Sequence, residues 1–178
     1  MNTGQMMLVL GALMLLSMLS LSVNTMFIDK TTTMLDAEAS LDAISIAQSM
    51  IDEIMVKSYD AATVSAKVYS ASSFTASGSL GPNSGESSSV PLPDTTSPFR
   101  SVRYYNDVDD YHLYRRTVNN ARLGKFTVVD SVFYVSESNP NTTSSPQTFL
   151  KKIVVTVTHA NMIRPLQISD IAVYRRYF

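Results

Sequence analysis

The chain has 178 residues, a formal net charge of −1, 16% charged side chains and no cysteine. That length suits one domain with an appendage. The near-neutral charge, without a basic cluster or aromatic-interleaved motif, gives no electrostatic case for nucleic acid, and the missing thiol excludes disulfides and thiolate metal sites while leaving the redox compartment open.

Residues 1–28 contain no charged side chain. The apolar run Met6–Phe27 would measure roughly 33 Å as a helix, enough to cross a hydrocarbon layer of about 30 Å. Leu and Met favour helix, and Ser17, Ser20, Ser22 and Thr25 can bond back to the preceding turn instead of breaking it. Three readings compete: a signal peptide, a plain membrane anchor, and a helix held in the membrane that later packs against copies of itself. No Lys or Arg precedes Lys30 and no small-residue cleavage site follows, which disfavours the signal peptide.

Residues 29–59 read as an amphipathic continuation without Pro or Gly. Met34, Ala37, Leu41, Ile44, Gln48, Ile51 and Met55 recur at alternating spacings of three and four, one face of a helix. Ala47 and Ile54 broaden that stripe, and Asp36, Glu38, Asp42, Asp52 and Glu53 lie mostly away from it. One helix over about 1–58 is expected. Its front half has nothing else in the chain to pack on and calls for partner helices; its back half is expected to cover a sheet. All methionines but Met162 precede residue 56, and flexible thioethers fill irregular gaps between packed helices.

Residues 60–111 form a variable region, rich in Ser, Ala, Gly, Thr and Pro up to about residue 100, with a short strand expected near Val64–Tyr69. Residues 112–178 alternate. Strands are expected at His112–Val118, Phe126–Val135, Phe149–Thr158 and Leu166–Tyr174. In the third, Ile153, Val155 and Val157 share one face and Val154, Thr156 and Thr158 the other. Short connections predict an antiparallel meander covered by the back of the long helix, an α+β head.

This pattern of a half-apolar, half-amphipathic N-terminal helix, a variable loop and an antiparallel sheet resembles type IV pilins and the pseudopilins of type II secretion. The run Tyr105-Asn-Asp-Val-Asp-Asp-Tyr-His112 is similar to one found in minor pilins before the sheet. The resemblance implies an extracellular filament subunit, held in the inner membrane before assembly, polymerised with identical copies by an inner-membrane machinery, and methylated at its N-terminus. Adhesion and secretion are roles within that class. Two departures stand out. Pilins carry a glutamate at the fifth mature position, offsetting the ammonium of a neighbouring subunit; with Met1 as the mature start, Gln5 holds that place and offers only a carbonyl oxygen. A leader cut after Gly4 would instead make Gln5 the first residue; Met1 is the favoured start. The helix-breaking proline near position 22 is also missing, leaving Gly11 and the Ser17–Ser22 cluster as the weak points of the helix. The residues expected in assembly are Met1, Gln5, Met6, Leu10, Leu13, Leu16, Met34, Leu41 and Ile44.

Nothing in the sequence points to an enzyme, and no cofactor is expected. Asp107, Asp109 and Asp110 are hard oxygen ligands that could take Ca2+, but only a fragment of a calcium-loop pattern surrounds them. Turn formation, capping or pairing with Arg103, Arg115 or Arg116 is the preferred reading. His112 and His159 lack partners at ligand spacing and read as structural. The Tyr104, Tyr105, Tyr111 and Tyr114 cluster reads as a packed contact between loop and sheet. Asn141-Thr-Thr143 fits a glycosylation sequon in a turn. The alternatives to a filament-building subunit are a minor pilin or pseudopilin that primes or caps, and a single-pass membrane-anchored binding domain.

Overall fold

The computed structural model describes residues 2–86 and 92–175, so Met1 lies outside the described residues. The chain forms two compact units, Met1–Glu38 and Ala39–Phe178, and the boundary between them falls inside one helix, α1, Thr3–Met55.

In the first unit every described residue up to Met34 is exposed and none is buried. The helix holds through its polar positions because they bond backwards. Ser17 Oγ donates to Leu13 O at 2.8 Å, Thr25 Oγ1 to Leu21 O at 2.9 Å, and Thr31 and Thr33 do the same to Phe27 and Asp29. Such bonds let Ser and Thr sit in a helix without offering the backbone another conformation. Helix runs unbroken through Gly11 and the serine cluster.

The second unit is α+β: the rear of α1 packs on a four-stranded antiparallel sheet. The strands are β1 Arg115–Asn120, β2 Gly124–Tyr134, β3 Leu150–Thr158 and β4 Leu166–Val173, side by side in chain order. The meander is as expected. Register pairs Val118 with Phe126, Val132 with Ile153, and Val155 with Ile168. The β1–β2 turn is closed by Asn120 Oδ1, which accepts from the Arg122 and Leu123 amides, and Gly124 supplies the positive φ of 93° that leads into β2. The inner face of β3 carries Ile153, Val155 and Val157, all buried, and Val154, Thr156 and Thr158 lie opposite.

Four sequence expectations need correction. The stripe Met34, Ala37, Leu41, Ile44, Gln48, Ile51 and Met55 is not the face laid on the sheet: only Ile51 among them is buried, and Leu41 is 69% exposed. The covering face is Ala39, Ala43, Ala47, Met50, Ile51 and Ile54, of which Ala47, Ile51 and Ile54 belong to the broadened stripe read from the sequence. Three alanines in a row one turn apart let the bulky sheet residues approach the helix backbone, and periodicity alone could not choose between two apolar faces. Second, α1 ends at Met55, before Tyr59, because Ser58 leaves to make a parallel bridge with Asp107: its N–H donates to Asn106 O and its carbonyl accepts from Val108 N.

Third, Val64–Tyr69 holds no strand. Asp60 and Thr63 form a reciprocal capping box that starts a short helix, α2, Ala61–Ser65. Fourth, the first strand begins at Arg115 and not at His112, because Leu113 takes a left-handed φ of 60° that interrupts extended backbone.

The variable region is anchored at three places. Phe74 packs among Tyr59, Phe149 and Tyr174 with ring centroids 5.0–5.5 Å away. A single turn of helix, α3, Arg100–Arg103, follows Asp94, whose backbone brackets β1 by donating to Arg115 O and accepting from Thr117 N. Tyr105, Tyr111 and Tyr114 then form an edge-to-face trio beneath the sheet, while Tyr104 stays outside it.

Candidate functional site

Two features of the molecule go beyond ordinary packing: the bare surface of the front of α1 and a buried ionic centre in the head.

Of the assembly residues read from the sequence, Met1 lies outside the described residues and the others are all on the outside. Gln5 lies in the first turn of α1, its amide bonded to Asn2 O, and Met6, Leu10, Leu13 and Leu16 follow along an exposed apolar cylinder. The helix is long and apolar enough to cross a membrane. Further along, Met34 is exposed in the first unit, and in the second Leu41, Ile44 and Met55 stay exposed on the flank that the sheet does not cover. The rear of α1 is therefore apolar on two sides. One is satisfied within the head and the other is not.

The ionic centre gathers residues that are remote in sequence. Lys151, on the inner face of β3, is completely buried. Its Nζ donates to Asp109 Oδ1 at 2.7 Å, Asp60 Oδ2 at 2.8 Å and the Tyr59 carbonyl at 2.9 Å. The Tyr59 and Tyr134 rings stand 4.6 and 5.2 Å from the ammonium. Asp60 receives further bonds from the Ala62 and Thr75 amides and from the Tyr134 hydroxyl. Burial works to raise its pKa, but the charge and hydrogen bond of Lys151, with those amides, outweigh it and hold Asp60 below the usual carboxylate range.

The acidic run sits at the edge of this centre. Asp107 Oδ1 accepts from the Asp109 and Asp110 amides, and Asp110 Oδ2 from the Asn106 and Asp107 amides. Burial, a side-chain hydrogen bond with Asp109 and the charges of Asp109 and Asp110 push Asp107 up to about 9. Asp110 rises to about 7, through burial and the charges of Glu86 and Asp109 against the pull of its two amides. Near neutral pH Asp107 is thus a carboxylic acid next to an Asp109 that binds ammonium.

Turn formation was legible, but the partner was not. The run pairs with Lys151 and not with Arg103, Arg115 or Arg116. Arg116 is committed elsewhere, its Nη1 2.6 Å from Glu53 Oε2 on α1, while Tyr111 Oη donates to Glu53 Oε1 at 3.0 Å. One oxygen of each aspartate is engaged by amides or by Lys151, the other is buried without a hydrogen-bond partner, and among the described residues no three His, Asp or Glu side chains converge to hold a metal ion. The histidines hold turns. His112 Nδ1 accepts from Val132 N, and His159 Nε2 lies 2.9 Å from Leu123 O with its ring stacked on Phe126.

Sequence reasoning missed Lys151 and Asp60. A signal existed for both. Lys151 has the same parity as Ile153, Val155 and Val157, which places an ammonium on the buried face, and Asp60-x-x-Thr63 is a capping signature.

No family model, curated protein or solved structure matches this chain.

Proposed function

We propose that this chain is a structural subunit of an extracellular, type IV pilus-like filament. The observation that carries the reading is the front of α1, residues 3–28, an uncharged, wholly exposed apolar stretch of the same helix whose rear is built into the head. Such a surface has no place in water. Lipid satisfies it before assembly, and equivalent helices of identical subunits satisfy it afterwards. Lipid is as apolar as leucine, so the transfer gains packing rather than hydrophobic free energy, and an inner-membrane assembly machinery must drive it. The unsatisfied flank of Met34, Leu41 and Ile44 extends the same helix contact toward the heads. Subunits related by a rotation that does not close give a helical polymer. The chain has no catalytic role in this reading.

The ionic centre serves the head. Asp109 and Lys151 sit beneath the sheet, so the acidic run that resembles minor pilins is spent on folding and is not available to a receptor.

The test is to shear the surface of cells producing the chain and to image the released material. The proposal expects helical filaments that contain the chain in many copies. A few copies per filament would assign it instead to the priming or capping subunits. A chain found only in the membrane fraction, monomeric in mild detergent, would replace the proposal with a membrane-anchored head domain.

A further inference from the structure

We propose that Lys151 and Asp109 condense to an intramolecular amide that cross-links β3 to the 107–111 turn. The nucleophile and the electrophile are already in contact, with Nζ 2.7 Å from Asp109 Oδ1, in a site where both side chains are at or near complete burial. Each of the two neighbouring carboxyls has a distinct part. Asp60, held as a carboxylate by two amides and the Tyr134 hydroxyl, lies 2.8 Å from the same Nζ and is placed to take its proton. Asp107, whose Oδ1 accepts the Asp109 amide at 2.9 Å, is the buried carboxyl beside the electrophile, and burial with the charges of Asp109 and Asp110 favours its protonated form, the acid that neutralises Asp109. A bare carboxylate resists attack, and a protonated one does not.

Asp109 is the acceptor, and Asp60 is not. Asp60 is surrounded by donors that stabilise its anion, whereas Asp109 Oδ2 has no N–H donor although it is buried. The Tyr59 and Tyr134 rings close over the ammonium and keep out the water that would reverse the step.

The step balances. Asp107 lends its proton to Asp109, and Asp60 removes one proton from the Lys151 ammonium. The freed nitrogen forms a bond to Asp109 Cγ. It then gives up its second proton as the Cγ–O bond breaks, and the oxygen leaves as water. The proton on Asp60 returns to Asp107, so both carboxyls end as they began. The net change is the loss of one ammonium charge, one carboxylate charge and one water. No oxidant or other co-reactant is needed. The bond would close a loop between residues 42 apart in sequence, restraining the unfolded chain as a disulfide does in a protein that has none. This inference is independent of the filament reading.

The test is the intact mass of the full chain, purified in detergent and then denatured, with peptide mapping of the digest. The expected result is a chain lighter than its residue sum by one water, about 18 Da, and a branched peptide joining Lys151 to Asp109. Asp107→Asn, checked for native fold by near-ultraviolet circular dichroism, should retain the full mass. Wild-type protein at full mass, with Lys151 open to acylation after denaturation, would overturn the proposal. A branch at Asp60 would overturn the choice of acceptor, and loss of water from Asp107→Asn the part given to Asp107.

Discussion

Arg116 on β1 reaches Glu53 on α1 with Nη1 2.6 Å from Oε2, and the pair fastens the rear of the helix to the edge of the sheet. The Arg116 side chain is only 6% exposed and that of Glu53 19%, so removal of one partner strands the other. Asp130 is no substitute: burial raises its pKa well above the usual range against the opposing charge of Arg116. Glu53→Ala should therefore cost about 3 kcal/mol, toward the lower end for breaking a buried pair. The double change Glu53→Ala with Arg116→Met should cost less than the single one, because no charge is left unpaired. Denaturant unfolding of the full chain in detergent would measure both.

Stability should fall as pH rises from 5 to 9. The folded pKa of Asp107 lies near 9 and that of Asp110 near 7, against about 3.9 unfolded. A group raised in the folded state contributes fully below its unfolded pKa and loses that contribution as pH passes its folded value. The slope is about 1.4 kcal/mol per pH unit for each proton held only by the native chain. Asp130, raised well above the usual range by burial, adds to the same fall, and the slope should be steeper below pH 7, where Asp110 acts as well. Asp107→Asn keeps a neutral side chain and removes one proton, so its unfolding should depend less on pH than the parent's. Identical pH profiles for the two proteins would contradict the assignment.

Much of the head could be read in advance, and the misses have two opposite causes. The alternation of β3 was plain from Ile153 to Val157, and the meander followed from the short connections. Lys151 was hidden because a charge is not expected on a buried face, although parity placed it there. The helix misled for the opposite reason. Met34, Leu41 and Ile44 are the larger residues and announce an apolar stripe, while the sheet selects Ala39, Ala43 and Ala47, which are small enough to let it close. Size complementarity between two elements is not a property of either sequence segment alone.

The two faces of α1 should separate by mutation. Ala43→Leu inserts three carbons where none fits and should destabilise the head by about 1–3 kcal/mol. Leu41→Lys lies on the flank left open and should leave unfolding within about 0.5 kcal/mol of the parent. In the proposed filament the same lysine would sit between helices, so Leu41→Lys should fold normally and fail to polymerise. Quantifying released filaments beside unfolding curves gives both readings.

Gln5 tests the N-terminal contact. A carbonyl oxygen only partly offsets a buried ammonium, so Gln5→Glu should support at least as much polymer as the parent, and Gln5→Ala less. Equal polymer yield from all three would remove Gln5 from the contact.

The central claim is that α1 is surrounded by copies of itself. The chain has no cysteine, so single cysteines can be placed at Leu13, Met14, Leu15 and Leu16, which point about 100° apart around the helix. Cross-linking of assembled material through a photoreactive group carried on each cysteine, which captures whatever side chain lies beside it, should give dimers from all four positions, since each side of the helix meets another helix. Dimers from none of them, with the chain recovered as a membrane-held monomer, would contradict it.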